Sequence, residues 1–198
     1  MQSDDAISML MTMASMQEEH NAQVHPQWTE QGYEYYRAIW VECAEMLDHF
    51  GWKWWKNQDP DIDQVKLELV DICHVALSEL IRSEQLHESL GAELANVEPI
   101  DSTPEIFREA IESLAISSLQ SRSFKMSDFT YAMRTLPMDL KELFALYVGK
   151  NVLNRFRQDH GYKEGSYRKL WAGREDNEHL IEILESLSVE PEQMFDML

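Results

Sequence analysis

The chain has 198 residues, 44% of them hydrophobic, and a formal net charge of −19. Its length suits one globular domain, so we predict a single domain over residues 1–198. The negative charge argues against nucleic acid as a partner, because phosphate binding needs a cationic surface. No apolar run reaches the roughly 18 residues of a membrane helix, and the N-terminus lacks the basic region of a signal peptide. We therefore expect a cytoplasmic protein that binds neither nucleic acid nor membranes.

Apolar residues recur at helical spacing through most of the chain. This pattern predicts helices near residues 3–25, 33–50, 62–84, 103–119, 127–135 and 137–161. Residues 83–102 carry polar, Gly and Pro signals that favour a loop or a frayed helix. The tail, residues 177–198, is typical of two helical pieces broken at Pro191. Because no stretch shows the alternation of a strand, the predicted fold class is all-α, a helical bundle.

Two acidic pairs, Glu42/Glu45 and Glu68/Asp71, lie on successive predicted helices. Residues three apart share a helix face, so four carboxylates could point at one spot. Such a cluster repels itself unless a cation lies between the carboxylates. Hard oxygen ligands of this kind suit Mg²⁺ or Mn²⁺. The spacing alone is weak, because so acidic a chain contains several such pairs by chance, and solvated helix faces are the alternative.

The segment between the acidic pairs is rich in aromatic and cationic residues. Trp52, Trp54 and Trp55 alternate there with Lys53 and Lys56. Aromatic faces stack on nucleobases, and ammonium groups hold phosphates. The alternative is that these tryptophans fill the core where two helices meet. We expect at least one of them to be structural.

Residues 150–174 form a cationic block in this acidic chain. The block holds seven of the 17 Lys and Arg residues against two acidic ones, a net charge of +5. Lys150, Asn154 and Arg157 share one helical face and lead into a glycine-containing loop. This arrangement is suited to clamping a polyphosphate. Ion pairs on the surface of an acidic protein would give the same composition.

Three further polar residues could contact a substrate. Gln17 and Asn21 are four apart on the first predicted helix, and their amides both donate and accept hydrogen bonds, as reading a nucleobase edge requires. His74 follows the second acidic pair by three residues. Solvated amides and a partly buried helical histidine are the alternatives. Cys43 and Cys73 lack the spacing of a zinc or redox motif and are expected to be buried thiols.

Four segments together resemble a known family. They are MQEEHN (16–21), VECAEMLDHFGWKWWKN (41–57), ELVDICH (68–74) and YVGKNVLNRFRQDHGYKEGSYRKLWAGREDN (147–177). The two acidic pairs, 22 residues apart, resemble the signature of the all-α NTP pyrophosphatases, the MazG-like superfamily. The longer segments are similar to the dimeric dUTPases within it. The resemblance spans about residues 16–177 and is weakest in the middle of the chain.

The resemblance implies an all-helical homodimer that hydrolyses dUTP, and also dUDP, between the α and β phosphates. The products from dUTP would be dUMP and pyrophosphate. It implies that Mg²⁺ is held by Glu42, Glu45, Glu68 and Asp71, with Glu42 activating the attacking water. It implies uracil contacts from Gln17, Asn21, Trp55 and His74. It implies sugar and phosphate contacts from Lys56, Lys150, Asn154, Arg157, Lys163, Tyr167 and Asn177.

Two alternatives stay open at this point. A dCTP or broad-specificity NTP pyrophosphatase would use the same metal site, because a side-chain amide can turn over to serve either base. A non-enzymatic helical interaction protein would use the cationic block as a partner surface and would not bind Mg²⁺. Joint thermal stabilisation by Mg²⁺ and a non-hydrolysable dUTP analogue separates the enzyme from the interaction protein.

Overall fold

The computed structural model describes residues 2–186, which form a bundle of eight α-helices and one short hairpin. The helices are α1 (Ser3–Val24), α2 (Tyr35–Phe50), α3 (Ile62–Arg82), α4 (Glu88–Ala95), α5 (Pro104–Ser121), α6 (Met126–Arg134), α7 (Leu140–Asp159) and α8 (Asp176–Ser186). A 3-10 turn covers Trp28–Glu30, and the hairpin pairs β1 (Leu170–Trp171) with β2 (Arg174–Glu175). The predicted all-α fold class is confirmed.

The central helix of the bundle is α3. Asp61 caps its first turn by accepting a hydrogen bond from the backbone N–H of Gln64. Leu67, Leu69 and Val70 are all fully buried although they point in different directions, so α3 is surrounded by other helices. It packs against α1, α2 and α7, whose apolar faces complete one continuous core. Polar side chains on α3 are therefore held inside the protein and need partners there.

The sequence-based helix limits agree with the structure to within a few residues, with one addition. Helix α4 forms inside the region expected to be a loop or a frayed helix. Its Gly91 is a packing residue, because a Cβ there would lie 2.8 Å from the Cα of Ile7 on α1. Helix α7 begins at Leu140 because Asp139 accepts a hydrogen bond from the Glu142 N–H. The predicted break at Pro191 lies outside the described residues.

The short hairpin was not predicted, because no stretch of the sequence shows the alternation of a strand. Each strand has two residues, with Leu170 opposite Glu175 and Trp171 opposite Arg174. Ala172 and Gly173 both have positive φ, at 51° and 85°, as a tight two-residue hairpin turn requires. Strands this short cannot show an alternating pattern in the sequence.

Several aromatic side chains lie on the surface instead of in the core. Trp52, Trp54 and Trp55 are 47%, 90% and 57% exposed, so the expectation that one of them fills the core is wrong.

Cys43 and Cys73 are buried and unpaired, as expected, and burial raises the pKa of each thiol to about 12. No helix within residues 2–186 is both long and apolar enough to cross a membrane.

Candidate active site

Three carboxylates meet where α2 packs along α3. One oxygen from each of Glu42, Glu68 and Asp71 lies within 4.8 Å of the others. They line a cavity of about 630 Å³, which we call the carboxylate cavity. Glu45 also lines this cavity, but its side chain is exposed and lies outside the three-oxygen group. The structure therefore gathers three of the four predicted carboxylates at one spot.

Crowding of these acids makes the cluster costly without a cation. Burial, together with the charges of Asp71 and Glu68, raises the pKa of Glu42 to about 8. Burial and Asp71 also raise the pKa of Glu68, and His49 Nε2 lies 3.5 Å from its Oε1. Closely spaced carboxylate oxygens are the donors that Mg²⁺ and Mn²⁺ prefer, so these residues fit a hard divalent cation.

The opposite wall of the carboxylate cavity is built around Lys150 of α7. Its side chain is 1% exposed, and its Nζ lies 2.8 Å from Asp71 Oδ2. The same Nζ donates a hydrogen bond to Asn177 Oδ1 at 3.0 Å. A buried ammonium group requires such partners, because desolvation strongly disfavours an unpaired charge. Lys150 therefore links α7 to the acidic cluster and to α8.

Arg157 lies on the same face of α7 as Lys150, about two turns further along, and forms a bidentate ion pair with Asp176. Its Nε and Nη2 donate to the two oxygens of Asp176 at 2.9 and 2.7 Å, and both residues are buried. Nη1 also donates to Asn154, and Nη2 to Asn177, each at 3.1 Å. Tyr167 donates to Asp176 at 2.9 Å. Asp176 was not predicted from the sequence, although it adjoins Asn177 in the fourth resembling segment.

A second cavity, of about 320 Å³, lies beside the carboxylate cavity, and we call it the amide cavity. Gln17, Asn21 and His74 line it, and Asn154 lines both cavities. Lys163 donates to the carbonyl oxygen of Val24 at 3.1 Å, on the rim of the amide cavity. The structure thus brings the predicted base-reading residues next to the predicted phosphate-binding residues.

The polar groups of the amide cavity hydrogen-bond to one another. Gln17 Nε2 donates to Asn21 Oδ1, and Asn21 Nδ2 donates to Ser78 Oγ, both at 2.9 Å. Gln17 Oε1 lies 2.7 Å from His74 Nδ1 and 2.9 Å from the hydroxyl of Tyr147. Ser78 and Tyr147 were not predicted, because a serine and a tyrosine on apolar helix faces carry no distinctive sequence signal.

The remaining predicted residues lie elsewhere. Trp55 and Lys56, in the connection between α2 and α3, line neither cavity in the described part of the chain. A larger apolar cavity of about 820 Å³ is lined by α7, the hairpin and α8, and Tyr167 belongs to it. That cavity contains none of the three clustered carboxylates among its described lining residues, so we do not assign the chemistry to it.

Comparison with known proteins supplies the family. Residues 9–162 match the model of a family described as dUTPase, which covers most of the chain, including most of α1 and all of α2, α3 and α7. A comparison with curated protein sequences returns no significant match. The family match removes the alternative of a non-enzymatic interaction protein. The chain belongs to the dUTPase family, and its activity is the hydrolysis of dUTP.

Proposed function

We propose that the protein is a Mg²⁺-dependent dUTP diphosphatase that cleaves between the α and β phosphates. Hydrolysis of dUTP then yields dUMP and pyrophosphate, and hydrolysis of dUDP yields dUMP and phosphate. The observation that carries this proposal is the joint placement of the carboxylate cavity and the amide cavity, which share Asn154 as a common wall. The polyphosphate occupies the first cavity and the base occupies the second.

The carboxylates of Glu42, Glu68 and Asp71 would hold the cation, with Glu45 at the edge of the same cavity. Mg²⁺, or Mn²⁺, when bound there, offsets the negative charge of the polyphosphate and lowers the pKa of water. Without it, three carboxylates and a polyphosphate would repel each other strongly. This requirement is why a highly acidic protein can bind a highly acidic substrate.

Glu42 is the residue we assign as general base. It lies in the carboxylate cluster, and as a carboxylate it can orient a water molecule and accept its proton. The water attacks the α phosphorus, its proton passes to Glu42, and the oxygen bridging to the β phosphate leaves with the bond electrons. No covalent bond to the protein forms in this sequence.

The cationic residues of α7 stabilise the leaving phosphates. Lys150 and Arg157 are both buried and are held by Asp71 and Asp176, so their positions are fixed before substrate binds. Preorganised charges of this kind stabilise charge that develops in a transition state without a cost of reorganisation. Asn154 and Asn177, which contact Arg157, complete the polar wall on the sugar and phosphate side.

We also propose that residues 1–198 act as one catalytic domain and that the protein is a cytoplasmic homodimer. The support for the dimer is the exposed group of Trp52, Trp54 and Trp55, in which the Trp55 ring contacts the other two edge to face. A group of exposed aromatic side chains in contact with one another is typical of a protein interface. Sedimentation equilibrium of the wild-type protein and of the Trp54→Ser variant tests this, and a monomeric wild type would contradict it.

The decisive experiment for the reaction uses ¹⁸O-labelled water and ³¹P NMR. Attack at the α phosphorus puts the label into dUMP and releases unlabelled pyrophosphate. Label in pyrophosphate would contradict attack at the α phosphorus, and release of dUDP and phosphate would contradict cleavage between the α and β phosphates. The same assay after removal of divalent cations with EDTA, and after addition of Mg²⁺ or Mn²⁺, tests the metal requirement.

A dCTP or broad-specificity pyrophosphatase is the alternative that uses the same residues. Both bases could meet Gln17 and Asn21, since side-chain amides carry a donor and an acceptor. A panel of dUTP, dCTP, dTTP and UTP, compared by kcat/KM, separates these activities. A preference for dUTP supports the proposal, and equal rates across the panel would replace it with broad specificity.

A further inference from the structure

We infer that a directional hydrogen-bond relay, formed by Tyr147, Gln17, Asn21 and Ser78 and oriented by His74, selects uracil over cytosine. This inference rests on the proposed function, because it concerns the base of the nucleotide bound in the amide cavity. The relay assigns positioning roles to Tyr147 and Ser78, which lie behind the two amides. It also explains how amides that could serve either base are restricted to one.

Both ends of the relay are hydroxyl groups that have a choice of acceptor. The Tyr147 hydroxyl lies 2.9 Å from Gln17 Oε1 and 3.0 Å from the carbonyl oxygen of Met13. Ser78 Oγ lies 2.9 Å from Asn21 Nδ2 and 3.0 Å from the carbonyl oxygen of His74. A hydroxyl carries a single proton, so each one donates in only one of these two directions.

These choices allow two self-consistent arrangements. In the first, Tyr147 donates to Gln17, Gln17 to Asn21, Asn21 to Ser78, and Ser78 to the backbone carbonyl four residues earlier. In the second, both amides are turned over and every donor is reversed, so that Tyr147 donates to the carbonyl of Met13 instead. A mixture of the two would place two donors or two acceptors against each other, so the relay changes as a unit.

His74 decides between the two arrangements. Burial and the nearby Lys150 hold the pKa of His74 well below its ordinary value, so the ring is neutral and has one proton to place. Its Nδ1 lies 2.7 Å from Gln17, and its Nε2 is buried without a hydrogen-bond partner within residues 2–186. A proton on Nε2 would be a buried, unsatisfied donor, which is costly. The proton therefore lies on Nδ1, which requires the Gln17 oxygen to face it and selects the first arrangement.

The direction of the relay determines what the cavity offers to a base. With Asn21 held between Gln17 and Ser78, its oxygen and its N–H each keep one unused bonding direction. Uracil presents an N3–H donor between two carbonyl acceptors, whereas cytosine presents an N3 acceptor beside an amino donor. In a given pose, an amide of fixed orientation pairs each donor with an acceptor on one of these bases. On the other base it places donor against donor and acceptor against acceptor. Because the family's substrate is dUTP, we assign the first arrangement to uracil.

The test removes each hydroxyl end of the relay. In Tyr147→Phe and in Ser78→Ala, we expect the ratio of kcat/KM for dUTP to kcat/KM for dCTP to fall about tenfold, or 1.4 kcal/mol. The kcat for saturating dUTP should change less, because the carboxylate cavity is untouched. Tyr131→Phe and Ser83→Ala are matched controls and should keep the wild-type ratio. Tyr131 is exposed, and Ser83 donates to the carbonyl of Glu79 outside the amide cavity, at 2.8 Å.

A purely structural role would lower kcat/KM equally for both nucleotides, and that result would overturn the inference. The His74 tautomer gives a readout that needs no activity. In ¹⁵N-histidine-labelled wild-type protein, with the His74 signal assigned by its loss in His74→Gln, we expect a protonated Nδ1 and an unprotonated Nε2. The reverse pattern would also overturn the inference. A wild type that does not prefer dUTP would instead contradict the proposed function.

Discussion

The carboxylate cavity and the amide cavity share Asn154 but differ in how their polar side chains are paired with one another. In the first, the oxygens of Glu42, Glu68 and Asp71 crowd together, and burial together with the charges of Asp71 and Glu68 raises the pKa of Glu42 to about 8. In the second, Gln17 and Asn21 are already hydrogen-bonded to their neighbours. The comparison teaches that the acidic cluster of the first cavity needs a cation to balance it, whereas the amides of the second cavity are already ordered by one another.

The largest expected effect comes from Glu42→Gln, which breaks the chemistry of the first cavity alone. We expect kcat for dUTP to fall by about 10²–10⁴-fold, the usual contribution of a general base, with no loss of folded stability. Release of pyrophosphate and thermal unfolding measure the two quantities. Glu112→Gln, on the exposed face of α5, is the matched control. Substantial residual turnover in Glu42→Gln would remove Glu42 from the base role.

The next largest effect is expected from Asp176→Asn. This substitution tests whether Asp176 holds Arg157 in place in the carboxylate cavity. Removing one partner of the buried Arg157–Asp176 pair should lower the free energy of unfolding by about 3 kcal/mol. Urea denaturation measures it. Glu182→Gln, which disrupts the exposed pair with Arg174, is the matched control and should change stability far less. An equal effect of both substitutions would mean that Arg157 is not held by Asp176.

Magnesium should stabilise the protein by relieving the crowding of the carboxylates. At about one hundred times its dissociation constant, a ligand specific for the folded state adds about 2.7 kcal/mol. We expect a higher Tm with MgCl₂ than with KCl of equal ionic strength. In Glu68→Gln the shift should be much smaller, because one oxygen donor is lost. An undiminished shift in that variant would place the cation elsewhere.

A smaller effect is expected from Gln17→Ala, which disrupts the amide cavity and leaves the carboxylate cavity intact. Discrimination between dUTP and dCTP should fall about tenfold, or 1.4 kcal/mol, and kcat for saturating dUTP should fall less. Steady-state kinetics with both nucleotides measure these changes. Gln120→Ala, at an exposed position on α5, is the control. Unchanged discrimination would argue against base reading by Gln17.

The smallest effect is the pH dependence that Asp176 adds to stability. Burial alone would raise its pKa, but hydrogen bonds from Arg157 and Tyr167 outweigh burial and lower the pKa below its ordinary value. Its contribution is therefore complete above about pH 4, the unfolded value, and is lost as the pH falls through the lower folded value. Urea denaturation of wild type and Asp176→Asn between pH 3 and 7 measures the difference in their free energies of unfolding. We expect that difference to narrow only below about pH 4.

Helical periodicity was enough to predict the fold, and acidic spacing together with the family resemblance pointed to part of the candidate site. The stripe on α3 follows from burial of its apolar residues, and the face shared by Lys150, Asn154 and Arg157 follows from a spacing of three and four residues. Both are local properties of a helix. Helix α4 was missed because Gly91 has the signal of a helix breaker, whereas its actual role is to let α1 approach closely.

The rest of the site depends on contacts between distant parts of the chain. Tyr147 and Gln17 are 130 residues apart, and Asn21 and Ser78 are 57 apart, so no local pattern connects them. Asp176 meets Arg157 only because the hairpin turns the chain back onto α7. The exposed Trp55 shows the reverse case, in which an aromatic residue looked like a pocket or core residue from its neighbours alone.

The wall that Asn154 forms between the two cavities has a consequence for how binding energies combine. In the proposed binding mode, a base and a polyphosphate joined by a sugar enter the two cavities as one molecule, so the second part would bind at a high effective concentration. Deoxyuridine alone or pyrophosphate alone lacks this advantage. Each is expected to bind with much less than half of the binding free energy of dUTP. The proposed cleavage between the α and β phosphates would remove the link, so the reaction itself would turn one tight ligand into two weak ones and clear the site for the next substrate.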